Sequence, residues 1–137
     1  MGHLQAGVER WQPLVRPTSG VDLVRSSTGV LSTRLSVHWA STQDDMRAAQ
    51  RLRYTVFATE MGAALSGSLP GHDMDLFDDF CEHLLVRDSR TSEVVGTYRV
   101  LTPAQAKRVG STYTDTEFDL TRLRDIRGRM VEFGRSC

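Results

Sequence analysis

The sequence predicts a single α+β sheet domain, and three observations carry that reading. A strand-like alternation precedes a capped amphipathic run, two β-rich runs lie close enough together to form an antiparallel hairpin, and a short helix leads to a strand at the end of the chain. At 137 residues the chain is long enough to bury one core without disulfides or a metal. Apolar residues at 39% and charged residues at 25% exclude bulk disorder.

Residues 1–33 lack sustained periodicity and contain Pro13, Pro17 and four glycines, so a flexible leader is expected there and the domain is expected over 34–137. Leu35, Val37 and Trp39 alternate with Ser36 and His38, the pattern of a half-buried strand. Thr42 with Asp45 forms a capping-box pattern. Met46, Ala49, Leu52, Val56 and Phe57 then recur at helical steps until Gly62, a natural left-handed stop. Ala63 to His72 reads as a loop, and Asp73 to Glu82 holds five acids and no base. His83 to Arg87 and Val94 to Leu101 read as the hairpin strands. Thr102 caps a short helix with Pro103 at its first position, and Arg129 to Cys137 reads as the last strand.

Seventeen basic residues balance seventeen acidic ones, which removes the broad attraction to phosphate backbones that a nucleic-acid binder shows. The longest uncharged stretch near the N-terminus, 26–33, contains only Val30 and Leu31 as large apolar residues, so neither a signal sequence nor a membrane span is expected. A cytoplasmic location follows as the expectation. Cys81 and Cys137 show no paired spacing, and Cys81-x-His83 is too short for a zinc site, so no metal is expected.

Four groups of residues carry possible chemistry. Arg53 stands four residues before Phe57 on an otherwise apolar helix side; it either pairs with a carboxylate or snorkels to water. Asp73, Asp75 and Asp78 crowd one loop, where they need a cation unless they are simply solvated. Arg99 interrupts the apolar run VVGTYRVL, as a paired residue or as an edge-strand charge. In Glu132-Phe-Gly-Arg135, Gly134 permits a bulge that would bring Glu132 and Arg135 to one side.

Arg53-Leu-Arg-Tyr-Thr-Val-Phe57, Asp73-x-Asp75-x-x-Asp78, Gly96-Thr-Tyr-Arg99-Val-Leu and Glu132-Phe-Gly-Arg135-Ser-Cys together resemble the N-terminal half of GNAT-superfamily acyltransferases. The resemblance covers about residues 35 to 137 and lies in the branch shared by acyl-homoserine-lactone synthases and ornithine N-acyltransferases. CEHLLVRD, VVGTYRVL, the segment from Tyr113 to Leu120 and VEFGRSC are similar to the second group, often labelled hemolysin-like. Ala63 stands where the first group usually carries a tryptophan.

The resemblance implies an incomplete GNAT-like fold, a mixed, mainly antiparallel sheet with flanking helices, whose C-terminal half with its phosphate-gripping loop is expected to be absent. It implies transfer of a (3-hydroxy)fatty acyl group from an acyl carrier protein thioester, or from acyl-CoA, to the α-amine of ornithine, with no bound cofactor. Glu132 stands where such enzymes keep a general base. Asp73, Asp75 and Asp78 would face the cationic amine, Arg53, Arg99 and Arg135 would pair with them or hold the substrate carboxylate, and Phe57 and Phe118 would pack nearby. Homoserine-lactone synthesis and a non-catalytic binding fragment are the alternatives. Partners implied are the carrier protein, the amino acid and a second copy through a bare sheet edge, with peripheral contact at the inner membrane as a further expectation.

Overall fold

The computed structural model describes residues 34–65 and 69–137. The expected leader over 1–33 lies outside the described residues. In chain order the elements are β1 (Leu35–Trp39), α1 (Gln43–Tyr54), a π-helical turn (Thr55–Glu60), β2 (Glu82–Asp88), β3 (Val94–Leu101), α2 (Pro103–Val109), 3-10 turns at Thr114–Thr116, Thr121–Leu123 and Arg127–Arg129, and β4 (Glu132–Gly134). The strands form one antiparallel sheet in the order β1-β2-β3-β4, consistent with an incomplete α+β GNAT-like fold.

Local chemistry sets the element ends. The Thr42 hydroxyl accepts from Asp45 N at 3.1 Å and the Asp45 carboxylate accepts from Thr42 N at 3.2 Å, a complete capping box at the start of α1. Thr102 and Gln105 repeat the device on α2, which Gly110 closes at φ 92°. The run expected to stay α-helical to Gly62 widens after Tyr54 into a π-helical turn, closed by Met61 N donating to Val56 O at 3.0 Å. Gly96 is required by close approach: a Cβ there would meet Val86 Cβ at 3.3 Å and Cys137 O at 3.5 Å.

Helix α1 packs across β2 and β3. The apolar core is divided. Ala40, Met46, Ala49 and Leu85 form one cluster with Val94, and Phe77, Cys81 and Leu101 form another with Phe80, Ala106 and Val109. Between them the helix–sheet interface is polar and fully buried, with Gln50, Arg53, Asp78, His83 and Arg99 each no more than 4% exposed.

Strand β1 corrects the burial expected from its alternation. Its apolar side is the open one: Leu35 is 53% and Val37 52% exposed. The polar side turns to the helix, because Arg87 donates from Nε to His38 Nε2 at 3.0 Å and from Nη2 to Asp45 Oδ1 on α1 at 2.6 Å. Pairing puts Val37 with Val86, Trp39 with Leu84, Leu84 with Tyr98 and Val100 with Phe133, so these residues share the face away from α1. Tyr98 and Phe133 meet edge-on there, 6.2 Å between ring centroids.

The last strand is shorter than expected, because a 3-10 turn at Arg127–Arg129 takes up its beginning. After Arg99↔Gly134 the next pairing is Thr97 with Cys137, joined by N–H···O bonds of 2.9 and 3.2 Å. Three residue steps on one strand therefore oppose two on the other: a bulge. Gly134 is not its left-handed residue; Arg135 is, at φ 50°. Among the described residues no helix is long and apolar enough to cross a membrane.

The capping box is testable. Thr42→Ala should lower unfolding free energy by about 1 kcal/mol, and Asp45→Ala should cost more because it also releases Arg87. Urea melts read as midpoint shifts at constant slope check both.

Candidate active site

The acidic loop is locked to α1 and the sheet. Asp73 N donates to Gln50 O at 3.0 Å, and the Asp75 carboxylate accepts from Phe77 N at 2.9 Å, which turns the chain so that Asp78 points inward. Arg53, one turn along α1 from Gln50, meets it. Arg53 Nε donates to Asp73 Oδ2 at 3.0 Å, and Nη2 donates to Asp73 O and to Asp78 Oδ2, each at 2.6 Å. From β3, Arg99 Nη1 donates to Asp75 Oδ1 at 2.6 Å and to Asp78 Oδ1 at 2.9 Å. Gln50 Nε2 adds a bond to Asp78 Oδ2 at 2.9 Å. Arg135 reaches in from the bulge more loosely, 3.4 Å from Asp73 Oδ2 and 3.6 Å from Asp75 Oδ2.

Beside this network opens a cavity of about 360 Å³. Phe57, Phe77, Cys81, Arg99, Tyr113, Glu132 and Arg135 are among its walls. Its two cations lie against aromatic rings: Arg99 Cζ is 5.8 Å from the Phe77 centroid and 5.7 Å from that of Tyr113, while Arg135 Cζ is 5.5 Å from Tyr113 and 5.8 Å from Phe57. Glu132, from the start of β4, is the acid in the wall. It accepts from Tyr113 N on Oε2 at 2.8 Å, from Thr114 N on Oε1 at 2.7 Å, and from the Thr114 hydroxyl on Oε1. Among the described residues no arginine or lysine pairs with it.

The electrostatics follow from burial and charge. Burial pushes the Asp78 carboxyl up, but Arg53 and Arg99, with His83 when protonated, outweigh it and hold Asp78 below the ordinary carboxylate value. Burial pushes the His83 imidazole down despite the neighbouring Asp78. His83 Nε2 lies 3.0 Å from Asp78 O, and because a carbonyl only accepts, that nitrogen carries the proton. Burial would lower Arg99, yet the Asp75 and Asp78 carboxylates raise it, so it stays a cation. Burial pushes the Cys81 thiol up to about 12, against Arg99, which leaves a neutral thiol rather than a nucleophile in the wall.

The network and cavity counted together hold Arg53, Arg99 and Arg135 against Asp73, Asp75, Asp78 and Glu132: three positive charges, four negative, net −1. The aspartates are taken up by arginine, so the excess falls to Glu132. A cationic amine fits that balance. Among the described residues no group of three or more His, Cys, Asp or Glu is placed to hold a metal.

Residues 52–137 match the acetyltransferase (GNAT) domain family. The chain belongs to the GNAT acetyltransferase family. Within it the chain is similar to proteins named L-ornithine N(alpha)-acyltransferase: that of Rhodobacter capsulatus is 40% identical over 110 residues, covering 74% of this chain and 42% of that protein. That of Brucella abortus is 36% identical over 141 residues, 96% and 48% respectively, and that of Agrobacterium fabrum 38% over 118 residues, 80% and 39%. The chain thus spans less than half the length of these curated relatives. No solved structure matches it.

For this GNAT chain the structure brings Arg53, Phe57, Asp73, Asp75, Asp78, Arg99, Glu132 and Arg135 to one place although they come from separate segments. Phe118 does not join them. It is 67% exposed and outside the cavity wall, because the 3-10 turn after Tyr113 closes with Phe118 N on Thr114 O and sends that side chain outward. Gln50, Phe77, His83, Tyr113 and Thr114 belong to the site without having been expected there. Gln50 had a signal, standing three residues before Arg53 on the same helix side; Tyr113 and Thr114 had none, since what places them is the distant Glu132.

Two outcomes test this network. Asp78→Asn should cost about 3–5 kcal/mol by leaving the buried arginines short of charge, seen as a fall in denaturation midpoint. Stability should also fall in two acid steps: His83, depressed in the fold, stabilises above its unfolded value of about 6.5 and loses that contribution as pH drops below it; Asp78, also depressed, loses its own as pH drops below about 3.9. His83→Gln should remove the first step and keep the second in melts run across pH 3–8.

Proposed function

We propose that this chain carries the acyl-acceptor half of an N-acyltransferase that moves a (3-hydroxy)fatty acyl group from an acyl carrier protein thioester to the α-amine of ornithine. The observation that supports this best is the cavity wall itself, where Glu132 is the acid left without an arginine in a site of net −1 charge. The names of the similar proteins supply the amine: they are called L-ornithine N(alpha)-acyltransferases.

In this reading ornithine enters as an ammonium ion, its α-amine towards Glu132 and its carboxylate towards Arg99 and Arg135. Glu132 takes one ammonium proton directly or through water, which frees the nitrogen lone pair. The nitrogen attacks the thioester carbonyl, the N–C bond forms, and the C–S bond breaks from the tetrahedral intermediate. The carrier leaves as its thiol, taking up a proton that the amine nitrogen gives up as the amide forms. The oxyanion needs a donor, and the bulge supplies backbone N–H groups at Arg135 and Ser136 that bond to no other described residue. Arg53 acts from behind, holding Asp73 and Asp78 so that Arg99 and Arg135 stay in the wall.

The same proposal includes the carrier protein as partner, peripheral contact with the inner membrane where a lipid-like amide would be released, and self-association. The open face bearing Leu35, Val37, Tyr98 and Phe133, each at least 44% exposed, supports the last of these.

The chemical test joins this chain to the remaining portion of the Rhodobacter relative and supplies L-ornithine with a 3-hydroxyacyl carrier protein. N-acylornithine is the expected product by mass spectrometry. Glu132→Gln, which keeps the shape and one of the two backbone bonds but removes the base, should lower turnover by about two to four orders of magnitude. Unchanged turnover at saturating ornithine would reject Glu132 as the base.

A further inference from the structure

We propose that Tyr113 is the specificity-determining residue of this pocket, selecting an amine that also bears an α-carboxylate over an amine that lacks one. This rests on the acyl-acceptor reading above and names the residue that sets its choice of substrate.

An α-amino acid presents its amine and its carboxylate one carbon apart. A site that reads both must hold an acceptor for the first and a cation for the second at a fixed spacing. Tyr113 touches both kinds of group at once. Its backbone N–H donates to Glu132 Oε2 at 2.8 Å, and its ring centroid lies 5.7 Å from the Arg99 guanidinium and 5.5 Å from that of Arg135. One residue therefore links the acid and the two cations of the wall through its own covalent geometry.

The link is stiff at both ends. The ring is fixed edge-on by Phe77, with centroids 5.9 Å apart at 74°. The turn that carries it is pinned by Thr114 N on Glu132 at 2.7 Å and by Thr112 N on Asp115 at 2.7 Å. Asp115 is itself gripped by both terminal nitrogens of Arg127, which hold its carboxyl down at about 2.

The cations on the ring are also short of acceptors. Arg135 makes contacts of 3.4 and 3.6 Å to its aspartates, and its Nε is buried with no hydrogen-bond partner. Arg99 spends Nη1 on Asp75 and Asp78 and lends its face to Tyr113 and Phe77. A ligand carboxylate would complete both guanidinium groups, and Tyr113 decides where they wait for it. Without the ring, Arg135 is free to close on Asp73 and Asp75 and give up the ligand position.

The test is calorimetry on the 137-residue chain with two probes, L-ornithine and 1,4-diaminobutane, its decarboxylated analogue. Wild type should prefer ornithine. Tyr113→Phe keeps the ring and the N–H, and should keep the affinity ratio within about twofold. Tyr113→Leu keeps the bulk and the N–H but loses the π face; it should cut the ratio about tenfold, through ornithine alone. Tyr113→Met is a second ring-free replacement that fills irregular space, and should repeat the loss where the Leu variant melts early. A generally loosened pocket would weaken both probes together, and that result overturns the proposal. Ornithine binding with an unchanged ratio in the Leu and Met variants overturns it while leaving the acyl-acceptor reading intact. A wild-type chain that binds neither probe, or both equally, overturns the acyl-acceptor reading and this inference with it.

Discussion

The carboxylate of Asp78 is the interaction on which the rest of the architecture depends. Its Oδ2 accepts from Arg53 and Gln50 of α1, its Oδ1 accepts from Arg99 of β3, and its backbone carbonyl receives His83 of β2. One residue of the acidic loop thereby ties the helix to two strands at the point where the apolar core is interrupted. An apolar filling of the same volume would stabilise the interface as well or better, since desolvating five charged or polar groups is costly even when they pair. What the ionic filling adds is orientation. Arg99, with one terminal nitrogen bound by two aspartates, has a fixed place in the cavity wall, and a hydrocarbon core could not aim it there.

Much of this was legible in the sequence, and the legible part is local. Thr42 with Asp45 and Thr102 with Gln105 announce helix starts because a capping box closes within three residues. An arginine on an apolar helix side, a loop crowded with aspartates and an arginine in an apolar strand each signal an unbalanced charge, and their mutual pairing is the cheapest joint solution. The failures are of a different kind. The alternation of β1 was readable, but not which side the helix would cover, because the Asp45–Arg87–His38 chain that decides it spans β1, α1 and β2. Phe118 looked like a pocket residue from its position in a motif, and a single 3-10 turn sends it outward. Tyr113 and Thr114 were invisible because their role comes from Glu132, nineteen and eighteen residues further along respectively.

The bulge shows how a local strain serves a distant requirement. Sequence favoured Gly134 as the permissive residue, yet the left-handed conformation falls on Arg135, at about 1–2 kcal/mol for a residue with a Cβ. Contacts to Asp73, Asp75, Phe57 and Tyr113 offset that cost, so the strain persists only while the acidic loop and the Tyr113 turn are in place. Had Gly134 taken the kink, no side chain would leave the strand at that point. With the kink at Arg135, a guanidinium is delivered into the wall opposite Glu132's tether and backbone N–H groups are released from the ladder beside it.

These arrangements bear on one another through charge. Three arginines neutralise three aspartates, which leaves Glu132 as the unneutralised acid, and three donors from the Tyr113–Thr114 turn occupy three of its roughly four acceptor positions. The remaining position lies on Oε2, the oxygen that serves one donor rather than two. Under the proposed chemistry that oxygen is the one able to meet a substrate ammonium without surrendering an existing bond, so the turn directs the incoming proton as well as anchoring the strand. Loss of the Thr114 hydroxyl would open a second position on Oε1 and with it a second, misaligned way for the amine to bind. The precision of the site therefore depends on how few acceptors Glu132 has left.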